Sequence, residues 1–446
     1  MKKITIVLGL TLISSFFLHA QNDIDKEKLR KVRHELHQHL TEGIMPFWTE
    51  RGVDEQYGGY LTTFDENGKL ITDNLNKYIV TQTRMIWGFS VYHQMYPDNP
   101  FYLEAAKQGV DFFIRNFWDP LYGGWYWEVT REGAMLDDGK VVYGQSFAIY
   151  ALTEYYLATG DQRALDYAIK TFDLLQEHCA DAFRGGYYEN LEPDWTISDA
   201  GFHAGDRKSL DIHMHLMECF TNLYKSTKQN VYRKRLDEVI NVILTHMVNK
   251  DLGCGLNQFT LDFESIPAIA IRRTWNADRE ENEEIDEPKV TTSYGHNIEL
   301  IWLLIWADKE MEIHPVESHM DIAVKMADHA IKYGMDKEYG GVYRDGPLDG
   351  PALVKDKEFW QNSEALVGFL TMYNETEDKK YLDAFYNVWN FVDEHMINHE
   401  LGEWMTLLNR QGEPIDPRIG NPWKCTYHSG RSIMEAIDRI DKILEK

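Results

Sequence analysis

YGGYLTTFDENGKLITDNLNKYIVTQTRMIWGFSVYHQMY, residues 57–96, carries three signals in a fixed order. A glycine pair behind an aromatic comes first, then the hairpin signal DENGK, then an apolar run of helical period starting at KYIV. A second helical segment, FYLEAAKQGVDFFIRNF (101–117), follows, and after it the next glycine pair, YGGWYW (122–127). The same marker returns as RGGYYE (184–189), LGCGLN (252–257), YGGVYR (339–344) and LGEWMT (401–406). Intervals between Gly58, Gly123, Gly185, Gly253, Gly340 and Gly402 are 65, 62, 68, 87 and 62 residues. A regular period of this size is the signature of a repeat architecture.

Each interval holds two amphipathic helical segments, giving five complete pairs. The chain begins with an unpaired helix, KEKLRKVRHELHQHLTEGIMPFW (26–48), and ends with another, YHSGRSIMEAIDRIDKILEK (427–446). The first precedes a glycine marker, as second helices do; the last follows the hairpin NRQGEP, as first helices do. Together they complete a sixth pair. Six pairs whose ends meet predict an all-α fold, an (α/α)6 barrel with short β-hairpins at its rim, rather than an open solenoid needing polar caps. The long interval contains NADREENEEIDEP (276–288), which reads as a solvated acidic loop.

The first helix of each pair is the more apolar and is expected on the inside. Six inner helix N-termini then converge on one mouth, where free N–H groups and positive dipole ends favour developing negative charge. That mouth gathers Gln82, Arg84, Tyr143, Gln145, Asp211, His213, His215, His296, Glu299, Trp360, Glu364, Trp423, His428 and Arg431. Gln82, Gln145 and His213 read most simply as caps or buried hydrogen-bonding groups. Histidine is a poor cap, so His296 and His428 point to chemistry, and an imidazole suits reversible proton transfer near neutrality. Glu299 and Glu364 could instead be the carboxylate pair of a glycoside hydrolase. No HExxH, P-loop, dinucleotide fingerprint or G-x-S-x-G elbow occurs, and neither metal nor cofactor is expected.

The segments RMIW, VYGQSFAIYAL, HMHLMECFTNLY, YGHNIELIWLL, SEALVGFL and WKCTYHSGRSIMEAI resemble the N-acylglucosamine 2-epimerase superfamily, and within it the cellobiose 2-epimerases. The resemblance implies inversion at C2 of the reducing-end sugar of a β-1,4-linked disaccharide, cellobiose or mannobiose, through an enediol or enediolate. It implies His296 and His428 as the acid/base pair, His215 assisting ring opening or holding sugar oxygens, and Glu299 orienting a catalytic histidine. It places Arg84 and Tyr143 against the reacting sugar and makes Trp360 and Trp423 aromatic walls; Asp211 and Glu364 complete the expected substrate-binding set. Where cellobiose epimerases read Met-Asn-Thr-His-Leu-His, this chain reads Leu210-Asp211-Ile212-His213-Met214-His215. A monosaccharide isomerase or N-acylglucosamine 2-epimerase on the same scaffold, and a sugar-binding barrel without turnover, are the alternatives.

Residues 1–20, MKKITIVLGLTLISSFFLHA, read as a cleaved secretory signal, with 21–446 as the barrel and a periplasmic or secreted destination. The apolar run is short for a membrane span, and none is expected in the mature chain. A net charge of −26 without a large Lys/Arg cluster argues against nucleic acid. The partner expected is a small disaccharide, and the assembly a monomer or weak oligomer. Four cysteines, Cys179, Cys219, Cys254 and Cys425, show no metal or disulfide framework.

Overall fold

The computed structural model describes residues 26–267 and 289–446. The leader expected at 1–20 and the acidic run 276–288 lie outside the described residues. Among the described residues twelve helices succeed one another: α1 (26–51), α2 (Ile79–Met95), α3 (Pro100–Phe117), α4 (Val142–Thr159), α5 (Gln162–Leu174), α6 (Leu210–Thr227), α7 (Asn230–Val242), α8 (Tyr294–Glu310), α9 (Met320–His329), α10 (Phe359–Thr376), α11 (Lys379–Phe391) and α12 (Thr426–Glu445). Even-numbered helices form an inner ring and odd-numbered ones an outer ring. Each even helix packs on its even neighbours, and α12 packs on α2, so the ring closes as an (α/α)6 barrel.

The two helix types differ in which residues they can hide. From Gly144 to Tyr155 every residue of α4 is buried, because neighbours surround it on all sides. The outer α5 buries Ala164, Leu165, Ala168, Thr171 and Phe172, one stripe at helical spacing, and turns its charges outward. The link between them is short: Gly160 takes the left-handed conformation (φ 73°) that ends α4, and Asp161 then caps α5 by accepting from Arg163 N at 2.9 Å. Where the ring closes, a Cβ on Gly88 would fall 2.5 Å from Thr426 Cγ2, so only glycine lets α2 and α12 approach this closely. On the outside, Arg33 Nε and Nη2 bond the Asp441 carboxylate at 2.9 and 2.8 Å, tying the first helix to the last.

The rim strands connect repeats. The two or three residues leading into an inner helix pair antiparallel with the hairpin of the next repeat: Lys77–Tyr78 with Glu128–Val129, Lys140–Val141 with Asn190–Leu191, Arg207–Ser209 with Gln258–Thr260. Thr292–Ser293 with Asp345–Gly346 and Lys357–Glu358 with Leu407–Leu408 continue the belt, and a bridge from Phe64 to Gly420 closes it. Under the belt, a fully buried lysine reaches a buried acid at each of five positions. Lys77 bonds Asp54 at 2.9 Å, Lys140 bonds Asp119 at 2.8 Å, Lys208 bonds Asp181 at 2.9 Å, Lys357 lies 3.3 Å from Asp336, and Lys424 bonds Glu403 at 3.1 Å. The sixth equivalent position, two residues before α8, is the uncharged Thr292. These pairs lock each helix entrance to the turn beneath it, which is what holds the mouth in shape.

Candidate active site

The inner helices divide their opening residues by direction. The fourth residue turns back to hold the rim. Gln82 accepts from Tyr60 N and donates to Tyr60 O, both at 2.9 Å. Gln145 does the same with Trp125 at 3.0 and 2.8 Å, and His213 Nε2 accepts from Tyr187 N at 3.0 Å. Asn297 and Asn362 repeat the contact with Gly255 N and Val342 N. Gln82, Gln145 and His213 therefore carry the structural role the sequence assigned them. The second or third residue (Tyr143, Asp211, His296, Trp360, His428) and the sixth (Arg84, His215, Glu299, Glu364, Arg431) face inward in two layers one turn apart.

The upper layer opens on a cavity of about 490 Å³ whose wall includes Arg84, Tyr143, Asp211, His215, His296, Glu299, Trp360, Trp423 and His428. Nine of the ten residues expected at the site thus come together. Glu364 is the exception: it is fully buried behind His428 and lines no part of the cavity. Its oxygens accept from His428 Nδ1 at 2.7 Å, Arg431 Nη2 at 2.7 Å and Trp302 Nε1 at 3.0 Å, all groups of the protein itself. The sequence had placed it among the substrate-binding residues; it holds His428 instead.

Glu299 stands on the cavity wall. Expected to orient a catalytic histidine, it is bonded by Arg431 Nη2 at 3.0 Å. The carboxylate that grips His215 is Glu218, 2.8 Å from its Nδ1, a residue absent from the expected set. The pair lies three apart on α6, His215 and Glu218, a spacing that puts both on one helix face and was visible in HMHLMECF. Glu218 also accepts from Tyr427 OH at 2.8 Å and from Arg431. Arg431, almost wholly buried, thus joins Glu218, Glu299 and Glu364 in one network beneath the cavity.

These surroundings set the protonation states. Burial, only partly offset by Glu364 and reinforced by the Arg84 and Arg431 cations, lowers His428 to about 3, so its ring is neutral. With Nδ1 donating to Glu364, Nε2 keeps its lone pair. Burial also lowers His296, against the pull of Asp211. His215 is the opposite case: burial works against its charge, but Asp211, Glu218 and Glu299 outweigh it and raise the ring to about 10. Burial beside Glu364 lifts Glu299 to about 8, whereas Arg431 and His428 overcome burial to hold Glu364 at about 2. Asp211 also falls to about 2, because His296 and His215 more than offset its burial. Its Oδ1 lies 3.2 Å from His215 Nε2 and 3.4 Å from His296 Nε2.

Two neutral imidazoles, one imidazolium and one guanidinium therefore share the cavity. Trp360 stands between the neutral pair, its ring 4.6 Å from His296 and 6.1 Å from His428. Arg84 is aimed by bonds to Tyr143 OH at 2.9 Å and to the Trp423 carbonyl at 2.8 Å. Among the described residues no group of His, Cys, Asp or Glu is placed to hold a metal ion, and no helix is long and apolar enough to cross a membrane.

The N-acylglucosamine 2-epimerase (GlcNAc 2-epimerase) family model matches residues 59–431. The cellobiose 2-epimerase of Bacteroides fragilis is 28% identical over 416 residues, 91% of this chain and 98% of its own. That of Ruminococcus albus is 29% identical over 422 residues, again 91% and 98%. The solved cellobiose 2-epimerase of Spirochaeta thermophila superposes with a TM-score of 0.80 at 29% identity, covering 94% of this chain and 98% of its own. With the family model matched over residues 59–431, well over half of its length, the chain belongs to the N-acylglucosamine 2-epimerase family.

Proposed function

We propose that the protein is a disaccharide 2-epimerase that inverts C2 of the reducing-end sugar, with His296 and His428 as its two proton-transfer groups. The observation that carries this reading is a pair of neutral imidazoles on one cavity beside two fixed cations. The C2–H bond becomes acidic only when C1 is an aldehyde, so the ring must open first. His215, an imidazolium between two carboxylates, is suited to give a proton to the ring oxygen while one of the neutral imidazoles accepts the proton lost from O1, the other then being the base at C2. One imidazole then removes the C2 proton, and the C–H electron pair becomes the C1–C2 double bond of an enediolate. The charge gathers on O1, where Arg84 and the converging helix ends supply donors already in place. Return of a proton to the opposite face of C2 gives the epimer. Glu364 steadies the cation on His428 and Asp211 that on His296, so the two can exchange roles in the reverse direction.

The cavity has more room than a single hexose fills, and Trp127, Trp360 and Trp423 offer flat faces for a second ring. The hydrolase reading loses support because Glu299 and Glu364 share one Arg431 nitrogen and only Glu299 meets the cavity. Product chromatography with cellobiose, mannobiose, mannose and N-acetylglucosamine in parallel tests the proposal: the disaccharides turn over with both sugars still linked. Turnover confined to the monosaccharides, or release of free glucose from cellobiose, would overturn it.

We also infer that residues 1–20 are removed on export to the periplasm or beyond. Mass spectrometry of the mature N-terminus checks this, and an intact Met1 in the exported fraction would contradict it.

A further inference from the structure

We propose that the barrel carries a second carbohydrate-binding site at the end opposite the mouth, taking one neutral pyranoside. A cavity of about 290 Å³ lies there among the C-terminal halves of the inner helices, and it shares no lining residue with the mouth. Its walls include Trp87 and Tyr150, which stack on each other, Trp302, with Arg431 and Arg439 over its ring, and Trp306, whose ring is of the kind on which a sugar stacks.

The charges around it balance. Glu154, Glu375, Glu435 and Asp438 face Lys225, Lys309, Arg439 and Lys442, and the acids are already engaged. Glu154 accepts from Gln94 and Asn222, Glu375 from Lys309, Glu435 from Arg439 and Asp438 from Lys442. A cationic ligand would find each of these acids already hydrogen-bonded.

Two buried polar atoms of the wall residues, one donor and one acceptor, lack partners among the described residues. The Trp87 side chain is 5% exposed, yet its Nε1 has no hydrogen-bond partner among the described residues. Asn374 Oδ1, on the same cavity, is likewise buried and without one. Sugar hydroxyls suit both atoms, since a hydroxyl can accept from an indole N–H or donate to an amide oxygen. An aromatic wall, balanced charge, one unpartnered donor and one unpartnered acceptor together describe a site for an uncharged polyhydroxylated ring.

Occupation of this floor would be felt at the mouth. The Trp302 ring lines the floor cavity, while its Nε1 donates to Glu364, which in turn holds His428. The chemistry of the floor is argued independently of the epimerase reading, so a failure of either leaves the other standing.

Calorimetric titration with methyl β-D-glucopyranoside tests the site, because a fixed glycoside has no aldehyde and cannot turn over. The wild-type chain should show a class of site that Trp306→Ala weakens by about tenfold or more, whether or not the mouth adds another. Asn374→Leu provides a second variant should Trp306→Ala fold poorly, and the epimerisation rate of each reports an intact mouth. Crystals soaked in the glycoside should show one pyranose ring in the floor cavity. Binding of the glycoside undiminished in both variants, or only ordered water in the floor, would overturn the proposal.

Discussion

His428 Nδ1 lies 2.7 Å from Glu364 Oε1, and this bond decides which ring nitrogen is left for substrate. Donation through Nδ1 fixes the tautomer with the lone pair on Nε2. Burial of the ring keeps it neutral, and the same carboxylate stands ready to stabilise the imidazolium once a proton arrives.

Glu364→Gln keeps the shape of that contact and removes its charge. General acid–base groups contribute roughly 10²–10⁴-fold to rate. We expect kcat to fall by about two orders of magnitude with KM little changed, because Glu364 does not touch the cavity. Steady-state kinetics on cellobiose measure both. A raised KM at unchanged kcat would return Glu364 to the substrate-binding set.

The pH profile should be bounded on the alkaline side. His215 is raised to about 10, so the charge it needs as an acid is present near neutrality and disappears as pH climbs through that value. The same sign governs stability: the ion pairs of His215 contribute fully below its unfolded value of about 6.5, and their contribution is lost as pH rises through about 10. Asp211→Asn removes one of the two carboxylates beside that ring. The alkaline limb of kcat/KM should therefore move to lower pH in the variant, and an unmoved limb would show that His215 does not set it.

The buried lysines beneath the rim give a stability prediction. Lys140→Met leaves Asp119, 4% exposed, without its cation, and breaking a buried pair in this way costs roughly 3–5 kcal/mol. Lys140→Met combined with Asp119→Leu should recover much of the loss. Removing the surface pair of Arg163 and Asp111 should cost less than about 1 kcal/mol. Thermal melts of the three variants check the order. Equal Tm losses for the buried and surface pairs would refute the role given to the lysines.

The twelve helices and the convergence of their N-termini were legible because glycine spacing and helical period are local properties of the chain. The site was legible to the depth of one helix turn. His296 and His428 stood out as histidines at helix starts, but the sharing of Arg431 by Glu364 and Glu299 was not legible, because it joins three helices far apart in sequence. Glu218 sat three residues from His215 in plain view, and reading the sixth residue of every inner helix as a layer would have drawn attention to the network it completes. The lysine locks escaped notice because each pairs with an acid 21 to 27 residues away, beyond any helical or strand period.

The most direct test of the two-imidazole claim is proton exchange at C2 in D2O, followed by NMR, for His296→Ala and His428→Ala given each epimer separately. If the two imidazoles serve opposite faces, neither variant interconverts the epimers, and each exchanges the C2 proton of one epimer only, the two variants being complementary. Retained epimerisation in either variant, or exchange of the same epimer by both, would contradict the account.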